Sequence, residues 1–139
     1  MLFISPWAIV AMMIFSVVLG FVWYGPLFGK QWAQLSGLVI PSEKPAFSTM
    51  LKPMLLSFIG AILLTAVLSF VIVFHNAFYL TVGLAPALAI AFMLWLGFIV
   101  PIYLNLSGWE GKPWTLFFIN TGYWLIFMLV AAAMITWIG

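Results

Sequence analysis

Few side chains in this sequence can take part in acid–base, nucleophilic or metal chemistry. The charged residues are Lys30, Glu43, Lys44, Lys52, Glu110 and Lys112, the one histidine is His75, and arginine, aspartate and cysteine are absent. Glu110 lies in the turn Gly108-Trp109-Glu110-Gly111-Lys112-Pro113-Trp114. There an acid–base role competes with a structural latch, such as an ion pair to Lys30. One carboxylate without a partner is a poor general acid or base. His75 has no thiolate or aspartate to share a cation with, so no metal site is expected, and it reads as a boundary residue at a helix end. No nucleophile–base pair, glycine-rich phosphate loop or paired carboxylates occur. The chain leans away from enzymes, and no cofactor is expected.

The remaining candidates are uncharged. Asn120 is the most polar side chain deep inside an apolar run, with Tyr123 and Trp124 close behind it. An amide in hydrocarbon must find a partner; a bond to another helix is the commoner outcome, and ligand binding is the alternative. Pro101 removes a helix bond and presses on the carbonyl of Gly97, which predicts a kink. Asn105 follows one turn later, and Trp95 lies one turn or so before. Trp95, Pro101, Asn105, Asn120, Tyr123 and Trp124 therefore form the candidate ligand-binding set, against the alternative of a bent helix whose polar atoms are satisfied by neighbours.

The elements that hold these residues follow from composition. Charged residues make up 4% of the chain and hydrophobic ones 68%, where soluble domains average about 25% charged. Four runs reach the roughly 20 apolar residues that a spanning helix needs: about 4–24, 53–74, 85–104 and 113–138. They lack the alternating pattern of a membrane barrel. The expected fold is a single all-α membrane domain, a four-transmembrane-helix bundle with a kinked third helix. A short interfacial helix is expected between Leu27 and Val39, where Trp32, Leu35 and Leu38 mix with Lys30, Gln31 and Gln34. The first run lacks a basic leader and ends in Trp23-Tyr24 rather than small residues, unlike a secretory signal.

All four lysines fall in the first and third connections, 25–52 and 105–112. The positive-inside rule then places these connections in the cytoplasm and both termini outside, in a cell (inner) membrane. Trp7, Trp23, Tyr24, Trp32, Trp109, Trp114 and Trp137 sit at predicted helix ends, as an aromatic belt would. Trp23, Tyr24, Lys30, Trp32, Glu110, Lys112 and Trp114 make up the expected cytoplasmic rim. A net charge of +2 matches lysines near anionic headgroups and does not point to nucleic acid.

Small residues recur every four positions: Ala8, Met12, Ser16 and Gly20; Ser57, Ala61, Thr65 and Ser69; Ala85, Ala89, Met93, Gly97 and Pro101. In lipid such stripes are packing seams, with a lined path as the rarer alternative. Leu19-Gly20-Phe21 recurs as Leu96-Gly97-Phe98, and Gly29-Lys30-Gln31-Trp32 as Gly111-Lys112-Pro113-Trp114. These echoes fit either two related helix pairs or shared interface anchoring.

Two stretches carry a resemblance. Val18-Leu19-Gly20-Phe21-Val22-Trp23-Tyr24-Gly25-Pro26-Leu27-Phe28-Gly29-Lys30-Gln31-Trp32 resembles the first-helix signature of the domain of unknown function 1761 family. Trp109-Glu110-Gly111-Lys112-Pro113-Trp114, with Phe118-Ile119-Asn120-Thr121-Gly122-Tyr123, resembles its second. The resemblance implies a small integral membrane protein of four spans and brings no activity with it. In that family a histidine often follows the Gly-Tyr pair; here Trp124 stands there.

The leading functional expectation is a non-enzymatic membrane protein that self-associates as a homo-oligomer or serves as an accessory subunit to a membrane protein partner, with the lipid bilayer as solvent. The alternatives are a binder or carrier of a small apolar ligand (lipid, quinone or tetrapyrrole) and, last, a membrane enzyme using Glu110. Because the chain is free of cysteine, topology can be read with single introduced thiols. A membrane-impermeant thiol reagent is expected to label Thr81→Cys in intact cells and Ser42→Cys only after the cytoplasmic side is opened. Labelling of both from one side contradicts the threading.

Overall fold

On the first helix and the second long helix, small residues make up much of the inward face, joined by Met12, Leu68 and Ile72. Val10, Ile14, Val18 and Phe21 of the first helix point outward, as do Leu63, Val67, Phe70, Phe74 and Phe78 of the second long helix, while Ala8, Met12, Ser16, Ala61, Thr65 and Ser69 are buried. Lipid does not reward burying large apolar groups, so helices approach through small residues and leave the large ones to the hydrocarbon.

The computed structural model describes residues 4–37 and 47–138. Over them the chain is helical and without strands: α1 (Pro6–Val22), a π-helical turn (Trp23–Leu27), α2 (Gly29–Ser36), α3 (Phe47–Tyr79), α4 (Leu84–Leu94), a second π-helical turn (Trp95–Ile99), α5 (Val100–Trp109) and α6 (Trp114–Ile138). Four helical stretches, Pro6–Leu27, Met50–Tyr79, Leu84–Trp109 and Trp114–Ile138, are long and apolar enough to cross a membrane. The last, α6, touches α1, α3, α4 and α5 and is buried along its length from Leu116 to Ile135.

Several boundaries differ from the sequence reading. The second long helix begins at Phe47 rather than Pro53, and Pro53 lies inside it. There the proline forfeits one backbone bond near the helix start, where few are lost. The same helix runs through His75-Asn76 to Tyr79 and ends where Leu80 takes a left-handed φ of 54°. The interfacial helix α2 stops at Ser36, closed by Gly37 at φ 72°, a left-handed end that glycine adopts without strain. The remainder of that expected helix, to Val39, lies outside the described residues, as do Glu43 and Lys44.

The stripe expected on the third span is corrected. Ala85, Ala89, Met93, Gly97 and Pro101 all face outward, and the buried positions are Ala87 and Ala91. Alanines at 85, 87, 89 and 91 offer two equally small faces about 200° apart around the helix. Periodicity alone could not choose between them.

Both prolines near the ends of spans one and three accompany a π-helical turn. Pro26 lies inside Trp23–Leu27, where the Phe28 N–H reaches back five residues to the Trp23 carbonyl at 2.9 Å. Pro101 lies at the start of α5, just after Trp95–Ile99, and the Val100 N–H reaches back to the Trp95 carbonyl. The wider turn takes up the break in bonding that a proline imposes.

After the first π turn the chain reverses tightly into α2. A Cβ at Gly29 would stand 2.6 Å from the Tyr24 carbonyl oxygen, whereas one at Gly25 would meet nothing within 4 Å. The expected outcome is that Gly29→Ala lowers stability by about 3 kcal/mol, since backbone must move, while Gly25→Ala changes it by less than about 0.5 kcal/mol. Reversible unfolding in mixed micelles checks both.

Candidate functional site

One polar turn of α6, Asn120-Thr121-Gly122-Tyr123, with the adjoining Ile119, draws groups from two other helical segments, the π-helical turns. The Trp23 indole donates to the Ile119 carbonyl at 2.8 Å, and the Trp95 indole donates to the Thr121 carbonyl at 2.8 Å. Two residues apart on a helix is about 200°, so these indoles grip α6 from opposite sides. Between them, the Tyr24 hydroxyl donates to Asn120 Oδ1 at 2.8 Å. The Thr121 hydroxyl stays within its own helix, donating to the Phe117 carbonyl at 2.7 Å.

Glycine makes the first of these contacts possible. A Cβ at Gly122 would come within 3.2 Å of Trp23 Cζ2, so the indole lies against the bare backbone of α6 on its way to Ile119.

A second group of hydroxyls faces a groove of about 680 Å³ between α1, α3, α5 and α6. Its polar lining comes from Ser16, Tyr24, Ser57, Tyr103, Tyr123 and Trp124, with no lysine, glutamate or histidine in the wall among the described residues. The Trp124 indole donates to the Tyr103 hydroxyl at 3.1 Å, and Tyr123 reaches toward the Ser16 carbonyl at 3.5 Å. Rings meet around this corner: Tyr24 tilted against Tyr123 at 5.4 Å and Tyr123 edge-on to Trp124 at 5.1 Å. Phe21 and Leu56, both largely exposed, flank the side open to lipid. Its volume falls within the range of small-molecule sites.

The groove exists because α3 packs inward only along part of its length. From Ala61 onward it buries Thr65, Leu68, Ser69 and Ile72; before that, Pro53, Leu56 and Ser57 are exposed. At the opposite end of the molecule a smaller cavity of about 200 Å³ is lined by Ser5, Ser69, Asn76 and Thr136, among others. The Thr65 and Ser69 hydroxyls, His75 Nδ1 and Asn76 Oδ1 are buried there or nearby without a partner among the described residues. The His75 ring packs on Tyr79, with centroids 4.7 Å apart.

The structure divides the expected residues. Trp95, Asn120, Tyr123 and Trp124 gather around the polar turn of α6, while Pro101 and Asn105 are exposed on α5. Of the expected rim, Trp23 and Tyr24 bond α6, and Trp32 packs edge-on against Tyr24 at 5.1 Å. Lys30, Glu110 and Trp114 are exposed and Lys112 is half-buried. No ion pair joins Glu110 to Lys30 among the described residues, and both are exposed.

Tyr103, Ser16 and Gly122 escaped the sequence reading as site residues. Tyr103 carried a usable signal, a phenol inside a span. Ser16 falls in a small-residue stripe that reads as packing, and Gly122 acts only through what it leaves out.

Four spanning-length apolar helices around a polar aromatic cluster define a multi-pass membrane protein. The chain belongs to the family described as protein of unknown function DUF1761, which matches residues 7–136. No curated protein and no solved structure matches it.

Gly122→Ala is expected to push the Trp23 indole off Ile119 and lower stability by about 1–2 kcal/mol, as small overpacking does. Gly97→Ala, with open space at its Cβ, serves as the silent control. Unfolding midpoints in detergent, with tryptophan emission as a second readout, check the pair.

Proposed function

We propose that this protein is a non-enzymatic multi-pass protein of the cell membrane that holds a small apolar molecule in the groove beside Tyr103, Tyr123 and Trp124. The observation that carries the reading is the groove itself: a wide cleft, open toward lipid, with aromatic hydroxyls at its inner wall. Ligand sites elsewhere share this make-up, mostly apolar with a few placed polar groups. An enzymatic role for Glu110 draws no support from this geometry, since Glu110 is not among the residues that line the groove. The lysine distribution supports an orientation with the connections 25–52 and 105–112 in the cytoplasm and the termini outside. That orientation sets Tyr24, Asn120 and the groove toward the cytoplasmic half.

A second reading, self-association or docking to a membrane protein partner, is favoured by the outward row Ala85, Ala89, Gly97 and Pro101. Small residues on a lipid-facing side let another helix approach closely.

Native mass spectrometry of protein released from native membranes tests both. Wild type is expected to carry a bound small molecule that Gly60→Phe lacks, because Gly60 lines the groove, a Cβ there meets nothing within 4 Å, and a ring beyond it would take up groove space. Equal occupancy in the two proteins contradicts the groove reading, and a dimer peak supports the second.

A further inference from the structure

We infer that the groove selects a molecule whose polar group is a neutral hydrogen-bond acceptor, a carbonyl on an apolar ring or chain, received by the hydroxyls of Tyr103 and Tyr123. This deepens the groove reading above and rests on it.

The argument is an accounting of protons. An indole N–H can only donate, so in the 3.1 Å contact of Trp124 with Tyr103 the phenol is the acceptor. Tyr103 therefore keeps its own proton to offer. Tyr123 donates to the Ser16 carbonyl across 3.5 Å, well beyond the usual 2.5–3.0 Å of an O–H···O bond. That bond is weak, and the hydroxyl can turn to a better acceptor. Gly20 leaves room around it, since a Cβ there would stand 3.9 Å from the Tyr123 hydroxyl.

Two of the neighbouring hydroxyls are already engaged, and a third, Ser57, lies on the exposed side of α3. Tyr24 donates to Asn120 at 2.8 Å, and Ser16 Oγ donates to the Met13 carbonyl at 2.7 Å. The groove is thus lined by two phenolic donors, Tyr103 on α5 and Tyr123 on α6. Among the described residues its wall holds no cation to meet a phosphate or carboxylate and no carboxylate to meet an amine. A charged head would be taken from water without a counter-ion, which is costly. A pure hydrocarbon would leave both donors unpaired.

A neutral carbonyl answers both conditions. The apolar remainder of such a molecule would lie along Phe21, Met50, Met54 and Leu56, where the two thioether side chains adapt to irregular shapes. A benzoquinone and the acyl ester of a diacylglycerol share this chemistry.

The test measures binding of four probes to the full chain in nanodiscs: decyl-benzoquinone, dioctanoylglycerol, decyl phosphate and decylbenzene. At least one carbonyl probe is expected to bind about ten-fold tighter than decylbenzene, the scale of one to two net hydrogen bonds, and tighter than decyl phosphate. The doubly substituted Tyr103→Phe/Tyr123→Phe protein is expected to bind all carbonyl probes at the decylbenzene level. The carbonyl probe that shows the preference tells a quinone source from an ester source. A wild-type-only measurement stands beside this: the carbonyl stretch of the bound probe shifts to lower frequency. Equal binding of decylbenzene, tighter binding of decyl phosphate, or an unshifted carbonyl band overturns the inference while leaving a groove that binds apolar molecules. Binding of no probe at all removes the groove reading and this inference together.

Discussion

In hydrocarbon a polar atom has no water to turn to, and each must be met by another part of the protein. The polar turn of α6 is where this constraint acts most strongly. Its side chains and carbonyls are met by indole and phenol donors from the first and third spans, through Trp23, Tyr24 and Trp95. Each such bond in a membrane protein contributes only about 0.6 kcal/mol on average. Their value lies in direction, because an indole N–H must point at its carbonyl, and that sets the rotation of two spans against a third.

The π-helical turns belong to the same arrangement. Each opens on the tryptophan that bonds α6, Trp23 in one span and Trp95 in the other. Each is also paired with a proline, Pro26 or Pro101. A proline in a span frees a backbone carbonyl, and the wider turn re-routes the bonds so that the helix continues. Breaks of this kind are tolerated where the surrounding contacts hold the segment, and here the indole bonds to α6 supply such contacts.

Packing and binding are distributed along α3. From Ala61 to Ile72 its small and medium residues close against α1 and α6. Between Met50 and Gly60 the helix stands off, and the space left over is bordered by hydroxyls from the other spans. The groove is thus a consequence of one helix having a single good packing face over only part of its length. Its apolar mouth and polar inner wall give it two ends of different character, which is the feature that a ligand with a head and a tail would read.

Composition and run length were enough to determine four apolar helices, the membrane as solvent, and the lysine-bearing connections, because an apolar stretch of that length has no other stable home. The signature residues around Trp23 and Asn120 were also recognisable, which places the chain in its family. Which face of the third span turns inward was decided only by tertiary packing, since Ala85 and Ala89 are as small as Ala87 and Ala91. The same is true of the partner of each polar group: Asn120 announces that it needs one, but whether Tyr24 or another donor answers depends on how the spans are rotated. Tyr103 joins the site through its contact with Trp124, a meeting of residues on separate helices that local spacing does not encode. Hydrophobicity is a property of each residue and is read along the chain, whereas hydrogen-bond direction is a property of pairs and exists only once the helices are side by side.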